Sequence, residues 1–138
     1  MTEHNFEIKA QKLNELLDLF PNLGKNSDVG KFAVEVAKLF ILSINPNTTF
    51  NIKRGVDLSI MLNGIEEDFE IKGTAANDIG WNKLKVSSQF CYDNLINGMN
   101  IIRVTNIGQT NMRIYYLIHE EDFELVPEAR WTIKKRRN

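Results

Sequence analysis

The dipeptide Asn63-Gly64 stands between two apolar runs, "VDLSIML" and "IEEDFEIKG". Asn-Gly in that setting is the strongest short-range hairpin signal, because both residues tolerate the positive φ of a type I′ turn. A two-residue loop then sets the whole pairing. Leu62 faces Ile65, Met61 faces Glu66, Ile60 faces Glu67, Ser59 faces Asp68 and Leu58 faces Phe69. Further out, Asp57 faces Glu70 and Gly55 faces Lys72. Side chains alternate faces along a strand. One face carries Val56, Leu58, Ile60, Leu62, Ile65, Phe69 and Ile71, with Glu67 as its exception, and reads as core. The other carries Asp57, Ser59, Met61, Glu66, Asp68, Glu70 and Lys72. Like charges directly opposite each other destabilise a sheet. The Asp57–Glu70 pair therefore needs an offset: Lys72, or a cation.

The 138 residues suit a single domain with one core. A net charge of −1 gives no global field favouring nucleic acid or an anionic membrane. Cys91 is the one cysteine, so no disulfide forms within the chain, and it reads as a small core residue. His4 and His119 have no partner pattern, which leaves no Ser-His-Asp, Cys-His or zinc arrangement. No apolar run reaches membrane-spanning length, and "MTEHNFEIKAQ" is too polar for a signal peptide. The expectation is a cytoplasmic protein with no membrane partner.

Residues 5–20 show a helical stripe of Phe6, Leu13, Leu16, Leu17 and Phe20, ended by Pro21, Asn22 and Gly24. A second helix is expected from Ser27 or Asp28 as N-cap, with Phe32, Val36, Leu39 and Phe40 inward. "TTFNIKRG" suggests an edge strand leading into the hairpin. The polar stretch 74–82 reads as a loop, and "KLKVSS" alternates like a short strand. Ser87 or Ser88 then caps a helix that Asn97-Gly98 closes. "MNIIRVTNI" and "MRIYYLIH" read as strands around the turn at 108–111. The fold class is α/β (α+β): a mixed sheet flanked by helices. The domain core spans about 28–120, residues 1–25 add an N-terminal helix, and 132–138 form a basic tail.

Two carboxylates with close Cα atoms can share one hard divalent cation, since Mg²⁺ takes one or two protein carboxylates and keeps several waters. Asp57 and Glu70 are that pair, and the carbonyl of Ile71 is a further oxygen ligand. Lys72 projects from the same face, where an ammonium can position the attacking water and neutralise phosphate charge. Metal, water and lysine together suit phosphodiester hydrolysis. The competing reading is a solvated outer face with a surface Glu-Lys pair.

Asp57 followed by Glu70-Ile71-Lys72 after a turn resembles the signature of the PD-(D/E)XK nuclease superfamily. The stretch from Asp28 to Ile107 is similar to its restriction-endonuclease-like core of helix, three strands, helix, strand. "FEIKGT", then "SSQF" opening a helix, then "IIRV", is similar to the No Vein C-terminal domain family within it. Val56 stands where the motif's name has proline. The resemblance implies that Glu35, on the first core helix, completes the metal site. It also implies a catalytic role for Gln89, on the helix after the lysine. Ordinary readings stand beside both: a helix-surface acid, and a first-turn polar residue satisfying backbone donors.

The expected function is metal-dependent cleavage of nucleic acid, DNA first, in a restriction, defence or repair setting, with Mg²⁺ as cofactor and Mn²⁺ as substitute. Nucleic-acid contacts are assigned to Trp81, Lys83 and Lys85, and to Lys134, Lys135, Arg136 and Arg137 of the only basic cluster. A homodimer is expected through the N-terminal helix. The alternative is a nuclease fold that binds nucleic acid or a partner protein without turnover. A third is an interaction protein whose acidic hairpin is incidental.

Overall fold

The computed structural model describes residues 1–137. The hairpin forms in the expected register: β3 (Leu58–Leu62) pairs antiparallel with β4 (Ile65–Gly73), from Leu62↔Ile65 to Leu58↔Phe69. Asn63 and Gly64 have φ of 53° and 76°, the positive values a type I′ turn requires. Leu58, Ile60, Phe69 and Ile71 are buried as the core face, while Ile65 beside the turn is exposed.

A helix, α2 (Asn26–Ile44), packs on that face and precedes the edge strand β2 (Thr49–Asn51), which pairs with β3. Phe32, Ala33, Val36 and Ala37 of α2 are fully buried. Burying side chains such as Phe32 and Val36 contributes about 1.5–3 kcal/mol each. The approach of α2 to β4 is set at Gly73, where a Cβ would lie 2.7 Å from the Ala33 Cβ and no larger residue fits without displacement. The helix starts earlier than Ser27 or Asp28 predicts: Lys25 is its N-cap. Asp28 instead lies in the first turn, where its carboxylate accepts from the Asn22 amide at 2.9 Å.

After β4 the chain crosses over through α3 (Gln89–Ile96) to β5 (Asn100–Thr105), which is parallel to β4. The hydroxyl of Ser88 caps α3 by accepting from the Cys91 amide at 3.1 Å. Strand β6 (Asn111–Leu117) returns antiparallel. α3 covers the second face, where Cys91, Leu95, Met99, Ile101, Tyr115 and Leu117 make a smaller core. The order from α2 to β5 is helix, three strands, helix, strand.

Two expected elements differ. "KLKVSS" forms no strand: Trp81–Lys83 is a 3₁₀ turn, and residues 84–88 run irregularly with Leu84 and Val86 tucked onto the smaller core. Alternation there reports one-sided packing without a strand partner. The N-terminal residues are also not helical. Thr2–Glu7 is strand β1, paired antiparallel with β6, and only Ala10–Leu19 is helix α1. His4, Phe6 and Ile8 alternate inward, and the Phe6 and His4 rings meet Phe40. The sheet is thus six-stranded and mixed, in the order β1-β6-β5-β4-β3-β2. Leu13, Leu16, Leu17 and Phe20 of α1 pack on the main core, so the stripe assigned to a homodimer is already covered by the chain's own residues. Among the described residues, no helix is long and apolar enough to cross a membrane.

Candidate active site

The site lies where β3 stops pairing with β4. Hydrogen-bonded pairs alternate along an antiparallel ladder, and in a two-residue hairpin Leu62–Ile65 begins the bonded set. Ile60–Glu67 and Leu58–Phe69 follow, and Val56–Ile71 would come next. Val56 is instead drawn into the turn 53–56, where its amide donates to the Lys53 carbonyl and Gly55 takes φ 77°. The Ile71 amide donates to Asp57 Oδ2 at 2.9 Å. Asp57 therefore does not face Glu70 as a strand residue. It caps the end of the ladder, its carboxylate replacing a backbone carbonyl. The N–H and C=O of one strand residue point to the same edge, so the Ile71 carbonyl faces the Asp57 side as well.

The Asp57 carboxylate still acts on Glu70. Burial pushes the Glu70 carboxyl above the usual range, and the Asp57 charge pushes it further. Two partners oppose the shift: Cys91 Sγ donates to Glu70 Oε2 at 3.3 Å, and Lys72 Nζ lies 3.5 Å from Glu70 Oε1. The Cys91 thiol is pushed up to about 12 by burial and by Glu70, which keeps it a neutral donor rather than a nucleophile.

Asp57, Glu70, Ile71 and Lys72 line one open cleft of about 810 Å³. Ser27, Gly30, Lys31 and Val34 of α2 line it too, as do Lys83, Lys85 and Arg103. Five cations and two carboxylates thus meet in a chain whose net charge is −1. Of the residues assigned to nucleic acid, Lys83 and Lys85 belong to this cleft; Lys85 also pairs with Glu128 at 3.1 Å.

Other expected residues lie elsewhere. Glu35 is not on the cleft wall. It sits one position past Val34, on the next helical face, and pairs with Lys38 at 3.4 Å. Gln89 is also outside, its amide donating to Asp93 one turn along α3 at 2.8 Å. The α3 residue that reaches Glu70 is Cys91. Trp81 lines a separate cavity of about 110 Å³, with Lys72, Lys85 and Phe123. Lys134, Lys135, Arg136 and Arg137 are exposed, in a segment without regular structure. Among the described residues, no group of three or more His, Cys, Asp or Glu is placed to hold a metal ion. The donor set is thus two carboxylates and a carbonyl, all hard oxygens. It fits a cation such as Mg²⁺ or Mn²⁺ that keeps most of its waters, and does not fit a fully protein-caged ion.

Three residues missed in the sequence complete the electrostatics. Lys31 enters the cleft from α2 at helical spacing from Ser27 and Val34. Lys53, in the loop before the hairpin, reaches Glu66 and Asp68 at 2.6 Å each. Arg103 is 2% exposed, and its one sequence signal is a charge inside the apolar run "IIRVT". The chain matches no protein-family model, no curated protein and no solved structure.

Proposed function

We propose that the chain is a metal-dependent endonuclease of the PD-(D/E)XK kind, hydrolysing phosphodiester bonds of nucleic acid, DNA first. The observation that carries the reading is the meeting of Asp57, Glu70, Ile71 and Lys72 on one cleft wall, with Lys83 and Lys85 beside them. The order helix, three strands, helix, strand from α2 to β5 supports a restriction-endonuclease-like core. Asp57, Glu70 and the Ile71 carbonyl would hold Mg²⁺ or Mn²⁺, which when bound supplies Lewis-acid polarisation of the scissile phosphate. Asp57 also holds the end of β4 in place through the Ile71 amide. Lys72 orients the attacking water and meets charge developing on the phosphate. Lys83 and Lys85 attract and align the backbone. Glu35 and Gln89 have no part in this mechanism.

One observation favours a second reading, a binding module without turnover: among the described residues, Asp57 and Glu70 are the two carboxylates that line the cleft, with no third. Incubation of plasmid, single-stranded DNA and RNA with Mg²⁺ or Mn²⁺ decides between the two. Cleavage by wild type and its loss in Lys72→Ala is the expected result. Equal cleavage by both proteins removes Lys72 from the mechanism. Binding with no cleavage of any substrate makes the chain a binding module.

A further inference from the structure

Arg103 is the most deeply buried charge in the cleft wall. It sits on β5 opposite Lys72 of β4, on the same face. Its Nε donates to the Ile79 carbonyl at 2.8 Å and its Nη1 to the Gly73 carbonyl at 3.2 Å. Both contacts are to neutral groups. Nη2 lies beside Gly80, buried and, among the described residues, without a hydrogen-bond partner. Asp78 Oδ1 also lies beside Gly80 and favours the charged guanidinium, but burial outweighs it, and among the described residues no carboxylate makes an ion pair with Arg103. A buried charge is ordinarily paired, because desolvation without a counter-charge is costly. A water could satisfy one N–H but adds no counter-charge to that of Asp78.

The surroundings supply more positive charge. Lys31, Lys72 and Lys83 line the same cleft. Asn26 and Ser27, in the first turn of α2, also reach it, and the N-cap residue Lys25 makes no side-chain capping hydrogen bond. The turn's one acid, Asp28, is bent back onto the Asn22 amide. Free N–H groups at a long helix's N-terminus favour an anion.

We infer that Arg103, Lys31, Lys83 and the first turn of α2 form an oxyanion subsite for a phosphate group next to the one at Glu70 and Lys72. The identity of its substrate rests on the nucleic-acid reading above; the subsite itself requires neither a metal nor cleavage. Lys31 and Lys83 grip the group from the two sides of the cleft. Arg103 supplies a fixed charge beneath it, held in place by the Ile79 and Gly73 carbonyls. The loop carrying Ile79 and Gly80 thereby becomes part of the binding surface through backbone alone.

The test uses the full chain in EDTA at constant ionic strength. Inorganic phosphate, a short single-stranded oligonucleotide and chloride are titrated while the ¹⁵N–¹H side-chain signal of Arg103 Nε is followed. Phosphate and oligonucleotide should each shift that signal saturably, and chloride should not. The double variant Lys31→Ala, Lys83→Ala, which touches no core residue, should weaken both by about tenfold, the scale of two exposed ion pairs. Arg103→Lys, which lacks the reporter and is therefore followed by titration calorimetry, should weaken them as well. Saturation by phosphate without oligonucleotide binding keeps the subsite and removes the polymer as its source. If neither ligand moves Arg103 beyond chloride, or the double variant binds as wild type does, the subsite is wrong, whether or not the protein cleaves nucleic acid.

Discussion

At the turn end of the hairpin's acidic face, Lys53 bridges Glu66 and Asp68 at 2.6 Å each, and the Ser59 hydroxyl donates to Asp68 at 2.6 Å. At the root of the same face, Glu70 is crowded by Asp57 and is met by Cys91 at 3.3 Å and Lys72 at 3.5 Å. The residue types are alike, and the outcomes are opposite. Burial pushes the Asp68 carboxyl up, but the hydrogen bonds from Lys53 and Ser59 outweigh it and leave it below its usual range. Glu70 is left above its usual range. Acids meant only for structure are neutralised by the fold. Acids left in conflict, inside a cleft, are where function is to be sought.

On the proposed function, the largest effect that separates the two ends is on cleavage. Lys72→Ala should lower cleavage by about 100-fold or more, the scale of a lost proton-handling or charge-stabilising group. Lys53→Ala should leave the cleavage rate unchanged and lower only stability, less so in high salt. Rate assays on both variants with one plasmid substrate check this; a Lys53 effect equal to that of Lys72 would erase the distinction.

The next effect is mechanical. Asp57→Ala leaves the Ile71 amide without its acceptor and should cost about 1–2 kcal/mol. Asp57→Asn keeps an acceptor oxygen and should cost less. Urea unfolding in EDTA measures both. If Asp57→Asn is as damaging as Asp57→Ala, the carboxylate's charge rather than its hydrogen bond holds the strand end.

The smallest effect has opposite signs at the two ends. Asp68 is depressed, so its contribution is present at neutral pH and is lost as pH falls through the carboxylate range. Glu70 is raised, so the folded state binds its proton first and stability falls as pH rises from the ordinary carboxylate value through the folded one. Asp68→Asn should flatten the acid-side loss. Glu70→Gln should stabilise the metal-free protein near neutral pH by ~0.2–1 kcal/mol, the scale of cross-strand pairs, and by less in acid. Unfolding curves at several pH values settle the signs.

Local chemistry explains what was legible in the sequence. Asn63-Gly64 specifies its turn with two residues, and pairing propagates outward without further information, so all five β3–β4 partners follow. That rule stops at Leu58: the positive φ of Gly55 bends the preceding chain away, Asp57 becomes a cap, and neither Asp57 nor Gly55 pairs with β4 as expected. The meeting of Asp57, Glu70 and Lys72 was legible because it depends on that hairpin. Glu35 and Gln89 depend on the rotation of helices about their axes, which is set by tertiary packing, and neither reaches the cleft. Lys53, Cys91 and Arg103 act across loops or between layers, so no spacing in the sequence announces their contacts. Strand β1 was hidden because Phe6 fits both a helical stripe and the alternation of His4, Phe6 and Ile8.

The central claim is that the conflict at the root of the hairpin is resolved by a divalent cation. Thermal or urea unfolding of wild type and Asp57→Asn, in EDTA and in millimolar Mg²⁺ or Mn²⁺, tests it most directly. A ligand that binds only the folded state stabilises by about 2.7 kcal/mol at a hundredfold excess over its Kd. Wild type should gain an increment of that order and Asp57→Asn should gain little. A metal shift absent from both proteins, or equal in both, would contradict the claim.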